Sequence, residues 1–152
     1  MISRRLCSPV LNQHAPIADI FAGPAYYLPR DEAPQQAIRI TPTNAHLLEQ
    51  HLPYTKRWLS ERIPVFLIVV EGEAIAACYS ARQTAKAAEA GVDTLEQYRG
   101  RGYAIATTQN WAAAVYAAGK LPLYSTSWDN LASQTVAQKL KAVQYAVTYS
   151  VT

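Results

Sequence analysis

"EQYRGRGYA", residues 96–104, alternates two arginines with two glycines just ahead of an apolar helical run. The chain has only 6 glycines in 152 residues, so two of them one residue apart mark a backbone requirement. Upstream, "AGVDTLE" (90–96) reads as a strand entering the loop. Downstream, the period changes at Tyr103. Ile105, Ala112, Val115 and Tyr116 fall on one helical stripe, with Trp111 and Ala118 beside it, and Gly119 terminates that helix. A loop between a strand and a helix N-terminus faces four N–H groups that have no partner in the helix. The helix dipole adds about half a positive charge there. Gly100 and Gly102 let the backbone come close to a ligand and take positive φ. Arg99 and Arg101 add charge. The loop is therefore an anion site, suited to phosphate.

Several phosphate motifs are excluded by spacing. There is no G-x-x-x-x-G-K-[ST] run. The G-x-G-x-x-G fingerprint fails because Ile105 stands where its third glycine belongs. "RGYA" fits the first positions of the RNA-binding RNP1 pattern. That pattern then needs aromatics where Ile105 and Thr108 stand, and it belongs on a strand rather than a helix.

Working outward, "PVFLIVV" (64–70) has the length and β-branching of a strand. "EGE" (71–73) is a turn, and "AIAACYSAR" (74–82) returns as its hairpin partner. "AIRIT" (37–41) alternates as a short strand. "AHLLEQHL" and "YTKRWLSER" read as short helices separated by Pro53. "LPLYSTSW" (121–128) alternates as a strand. Asp129 or Asn130 then caps a helix with Ala132, Val136, Leu140 and Val143 on one face. "VQYAVTYSVT" (143–152) is a final strand. Residues 1–35 carry Pro9, Pro16, Pro24, Pro29 and Pro34 and read as an extended segment, the remnant of a longer N-terminal half or a wrap around a single domain at 36–152. The order implies a mixed α/β sheet, mostly antiparallel, with helices on both faces and one parallel strand–helix–strand crossover.

Composition sets the outer bounds. Hydrophobic residues make up 50 % and charged residues 16 %, which favours a packed core over disorder. The net charge of +3 and pI near 8.9 suit an anionic ligand and are too weak to indicate nucleic acid. Basic residues cluster only in the loop and in "KRWLSER". No apolar run approaches membrane-spanning length, and the N-terminus lacks a secretory h-region. Cys7 and Cys78 form no disulfide framework, which suggests a reducing, cytoplasmic setting. His14, His46 and His51 have no metal spacing, so no metal is expected. Cys78 sits in an apolar strand as a buried hydrophobe, which argues against a nucleophilic role.

One pattern fits fully. Gln97-Tyr98-Arg99-Gly100-Arg101-Gly102 matches Q/R-x-x-G-x-G/A, and the chain here resembles the acyl-CoA pyrophosphate loop of the GNAT N-acetyltransferase superfamily. "VDTLEQYRGRGYA" resembles that family's whole strand–loop–helix block. "SWDNLASQTVAQKL" (127–140) resembles its fourth-helix segment, and its Ser-Trp-Asp run resembles a subgroup that includes antibiotic self-resistance acetyltransferases. The likeness covers residues 64–145 well, and 36–63 by element order.

The resemblance implies a GNAT-like fold and direct acetyl transfer from acetyl-CoA to an amine of a small molecule or protein. It implies cofactor contacts from the strand at Thr94 and Leu95, and from the loop at Gln97, Tyr98, Arg99, Gly100, Arg101, Gly102 and Tyr103. Asn130 and Ser133 match the family's Asn-x-x-Ser on the pantetheine side, and equally suit a helix cap. An amine with a pKa near 10 must lose a proton before attack. Glu89, Asp93 and Glu96 are the candidate bases, Glu89 foremost, although some members carry the carboxylate where this chain has Lys86. The family's usual tyrosine acid is replaced by Ala137, and a helix-ending glycine by Lys141. That leaves Tyr124 or Tyr145 as the acid, or thiolate departure without one. The same departures keep open an acyl-CoA sensor without turnover. A homodimer is compatible with this reading, and neither nucleic acid nor membrane is expected as a partner.

Overall fold

The computed structural model describes residues 12, 13 and 15–152; Cys7, Pro9 and His14 lie outside the described residues. The strands are β1 (Ile20–Tyr27), β2 (Ile38–Arg39), β3 (Phe66–Val70), β4 (Glu73–Gln83), β5 (Ala87–Thr94), β6 (Leu121–Ser125) and β7 (Val143–Val151). The helices are α1 (Pro53–Arg57), α2 (Leu59–Arg62), α3 (Tyr103–Ala117) and α4 (Leu131–Lys139), with single 3-10 turns at Ala45–Leu48 and Glu96–Tyr98.

Local chemistry accounts for the boundaries. The β3–β4 hairpin turns through Glu71 and Gly72, both at positive φ, the geometry that matches strand twist. After α3, the N–H of Lys120 reaches the Val115 carbonyl at 3.1 Å, a Schellman closure around Gly119. At the start of α4, the Asn130 side chain accepts from the Ser133 N–H at 3.0 Å. The helix ends in the same Schellman geometry, with Ala142 N–H on the Ala137 carbonyl at 3.0 Å. Here the left-handed residue is Lys141, at φ 55.

The strands form one sheet in the order β2-β3-β4-β5-β6-β1-β7. Every neighbouring pair is antiparallel except β5 and β6, which run parallel. The residues read as an extended N-terminal segment thus supply an interior strand: β1 pairs with β6 on one side and β7 on the other. Proline density concealed it. Pro24 stands inside β1 and pairs in register with Val147.

Helices cover both faces. On one, α3 and α4 bury a cluster of Leu28, Cys78, Ala88, Trp111, Val115 and Tyr124. Trp111 is fully buried and donates its indole N–H to Ser80 Oγ at 3.1 Å, so its apolar body packs without stranding its polar atom. On the other face, the segment from Ala45 to Leu59 packs on Val65, Leu67 and Ala77.

The sheet is only partly paired between β5 and β6. The β5–β6 ladder holds only at Ala87–Leu121, Ala88–Pro122 and Glu89–Leu123. Beyond it, β5 continues to Thr94 paired only with β4, and β6 continues to Ser125 paired only with β1. The sheet splits into a V whose open end lies next to the glycine loop.

Candidate functional site

The V opens into a groove of about 460 Å³ lined by β5, the glycine loop, the start of α3, Tyr124 and one face of α4. Its two walls carry different chemistry.

The loop wall is a row of unengaged donors. Tyr98 N–H bonds the Leu95 carbonyl at 2.9 Å and Arg99 N–H the Glu96 carbonyl at 3.2 Å, closing the 3-10 turn. Among the described residues, no hydrogen bond engages the N–H groups of residues 100 to 105; the first that is engaged is Ala106, on the Gly102 carbonyl. Gly100 and Gly102 adopt φ 75 and φ 83, which turns consecutive amides the same way and makes an anion-binding concavity. α3 has no capping side chain and no acid in its first turn, so nothing local offsets the positive end of its dipole. The two arginines fold back on the loop. Arg99 Nε donates to the Thr94 carbonyl at 3.2 Å, and Arg101 donates to the Gln97 carbonyl at 3.3 Å.

The strand wall is the free edge of β5. Leu95 N–H bonds the Ile75 carbonyl of β4 at 2.9 Å, and backbone direction alternates along a strand. Leu95, Asp93 and Gly91 therefore point their main-chain groups at β4, whereas Val92 and Thr94 point theirs into the V. Thr94 Oγ1 is buried with no hydrogen-bond partner. An orphaned buried hydroxyl is costly.

Behind these walls, the Tyr124 hydroxyl lies 2.6 Å from Ser133 Oγ. Burial raises the pKa of Tyr124 above the ordinary 10.0, so the hydroxyl keeps its proton at neutral pH. Ala137 is fully buried in the cluster that also holds Tyr124.

Of the residues expected from sequence to meet a cofactor, Thr94, Tyr98, Arg99, Gly100, Gly102, Tyr103, Asn130 and Ser133 line the groove. Leu95, Gln97 and Arg101 are not among its lining residues. Leu95 packs instead against Ile68, Ile75 and Ala76, and its N–H is taken by β4. Tyr98 and Arg99 contribute side chains only, because their amides are spent in the turn. Of the expected catalytic residues, Tyr124 lines the groove. Tyr145 sits on β7 where the register shifts, 55 % exposed and outside the groove lining. Glu89 is held by a forked bond from Arg82, at 3.1 and 3.2 Å from the guanidinium NH2, and lies at the closed end of the V. Asp93 is the single acidic residue in the lining. Lys139 and Val136 also line the groove; the sequence marked Val136 only as part of a helix face, and Lys139 not at all. Their spacing with Ala132, at i, i+4 and i+7, was the available signal.

A row of unengaged amides at a helix N-terminus thus opens on a split parallel strand pair. Residues 40–150 match the family model of the GNAT acetyltransferases, and the chain belongs to that family. No curated protein sequence matches it. Among solved structures it is similar in fold to a GNAT-family protein from Novosphingobium aromaticivorans, with TM-score 0.75, 15 % identity, and coverage of 89 % of this chain and 65 % of that one. A GCN5-related N-acetyltransferase-like protein from Streptococcus suis gives TM-score 0.72 and 17 % identity over 99 % of this chain and 69 % of its own. A GNAT-family acetyltransferase from Colwellia psychrerythraea gives 0.65 and 16 % over 91 % and 60 %. The chain thus spans only 65 % of the first of these and 60 % of the third.

Proposed function

We propose that the protein is an acetyl-CoA-dependent N-acetyltransferase that moves an acetyl group directly onto a primary amine of a small molecule or protein. The observation that carries this reading is the run of unengaged amides at 100–105 opening onto the free edge of β5. The diphosphate of the donor would sit on those amides, with Arg99 and Lys139 supplying positive charge. The extended arm would add to β5 as a strand, paired to the main chain of Val92 and Thr94. Acetyl-CoA supplies the activated acyl group, and this chain's residues do the rest. The Val92 or Thr94 N–H polarises the thioester carbonyl. Asp93, directly or through water, takes the proton lost by the attacking amine. It replaces Glu89 as the favoured base because it lines the groove and no cation is paired with it, whereas Arg82 occupies Glu89. Tyr124, kept protonated by burial, gives a proton to the departing thiolate and fills the role vacated at Ala137.

The acting unit in this reading is residues 36–152 completed by β1, working in the cytoplasm where acetyl-CoA is available. The Ser127-Trp128-Asp129 run and Ala137 make antibiotic amines worth including among acceptors, beside polyamines, amino acids and protein amines. The test is a calorimetric acetyl-CoA titration together with CoA release over that amine panel. Binding with release on at least one amine is the expected result. Binding without release on any amine would leave an acyl-CoA sensor, and absence of binding would refute the reading altogether.

A further inference from the structure

Asp93 belongs to a group of residues on the sheet face away from α3 and α4. The Tyr79 hydroxyl donates to Asp93 Oδ2 at 3.1 Å. The Tyr79 ring lies flat over Gly91, where a Cβ would meet Cε2 at 2.3 Å. The Arg62 guanidinium carbon sits 4.7 Å from the Tyr79 centroid and 4.8 Å from that of Tyr54. The cation is within cation–π range of both tyrosines. Its hydrogen bond among the described residues is a long one, NH1 to Thr55 Oγ1 at 3.4 Å.

Two opposite charges therefore flank one tyrosine without closing on each other: neither Arg62 nor Asp93 takes part in a salt bridge among the described residues. The contrast is on the same face. Arg82 and Glu89, directly opposite in the β4–β5 ladder, form a forked pair. With its cation against aromatic rings and no carboxylate paired to it among the described residues, Arg62 keeps the planar fork of its guanidinium N–H donors as the part able to bind. That fork matches a carboxylate. Asp93, at the groove, matches an ammonium or the amine derived from it.

We propose that the acceptor is a short amino acid, its amine beside Asp93 and its carboxylate on the edge of Arg62; this rests on the N-acetyltransferase reading above. Tyr79 is a positioning residue, in contact with both charges: its hydroxyl with Asp93 and its ring with Arg62. Exposed Tyr54 and Trp58, 61 % and 41 % accessible, then border the space left for the acceptor's side chain.

The experiment compares kcat/KM for amino acids with that for the matching amino acid amides, which keep size and amine but lose the carboxylate. The wild type is expected to favour the acid by about 10-fold or more, and Arg62→Met to cut that acid-to-amide ratio by about 10- to 100-fold, the worth of a charge-assisted hydrogen bond. Arg62→Lys, which keeps the charge and not the fork, should retain part of the preference. A purely structural Arg62 would lower both rates and leave the ratio alone. An equal rate on acid and amide in the wild type, or an unmoved ratio in both variants, overturns the proposal. Release of CoA with other amines but with neither probe overturns it while sparing the transferase reading. No release with any amine removes the reading beneath it.

Discussion

Gly100→Glu should abolish acetyl-CoA binding and leave the fold standing. At φ 75 a side chain costs about 1 kcal/mol of strain. A Cβ built there meets nothing within 4 Å, so no clash is added to the strain. For a chain this size, about 1 kcal/mol lowers Tm by roughly 2–4 °C. The loss in binding is larger. The new carboxylate would stand about 4 Å from a diphosphate held by the neighbouring amides. Like charges at that range repel by about 4 kcal/mol at an effective dielectric near 20, or about a thousandfold in Kd. Gly72→Glu is the matched control. Gly72 has φ 80 and equally open space, but lies in the β3–β4 turn, away from the groove. Calorimetric titration of both variants, beside their thermal melts, separates strain from electrostatics. Similar Tm losses with binding lost only in Gly100→Glu is the expected pattern. A folded Gly100→Glu protein that binds acetyl-CoA within threefold of wild type would remove the loop from the site.

Lys141→Gly should raise stability by about 0.5–1 kcal/mol, because Lys141 closes α4 at φ 55, where glycine carries no Cβ penalty. Its ion pair with Asp31, at 3.8 Å and mostly exposed, offsets little of that gain; an unchanged denaturation midpoint would contradict the argument. Asp93→Asn should lower kcat by roughly 100-fold with the Kd for acetyl-CoA nearly unchanged, while Glu89→Gln changes kcat little; the reverse order in steady-state assays would restore Glu89 as base. Stability should fall as pH rises above about 9. Burial pushes the Cys78 thiol far above its ordinary 9.0 and raises Tyr79 and Tyr124 above 10.0. The unfolded chain therefore loses these protons first and is favoured by about 1.4 kcal/mol per pH unit for each such group. Below pH 9 the contribution is fully present. Urea titrations across pH 8–10 should show Cys78→Ala with a shallower alkaline decline than wild type, and parallel slopes would refute the assignment.

The local part of the site was legible in the chain. Gly100 and Gly102 stand at positive φ, α3 begins at Tyr103, and Asn130 caps α4 through Ser133, because each follows from backbone sterics and nearest-neighbour hydrogen bonds. The strand–helix–strand crossover was legible from the change of hydrophobic period at Tyr103. β1 was not, since its proline is tolerated only by the particular strands beside it. Which carboxylate lines the groove was also hidden. Glu89 and Asp93 share one face of β5 by alternation, and nothing in a linear pattern says that Arg82 lies opposite the first and an open groove beside the second.

A sequence specifies which residues can form a turn, a cap or an amphipathic face, because those depend on spacing along the chain. It specified here a strand, a glycine loop and a helix in that order. Where β5 and β6 part, and hence which carboxylate, hydroxyl and guanidinium face the same space, was decided by pairing between segments distant in sequence. Only the assembly of the whole sheet, in which β5 and β6 pair over three positions and then β6 continues on β1 alone, brings those groups together.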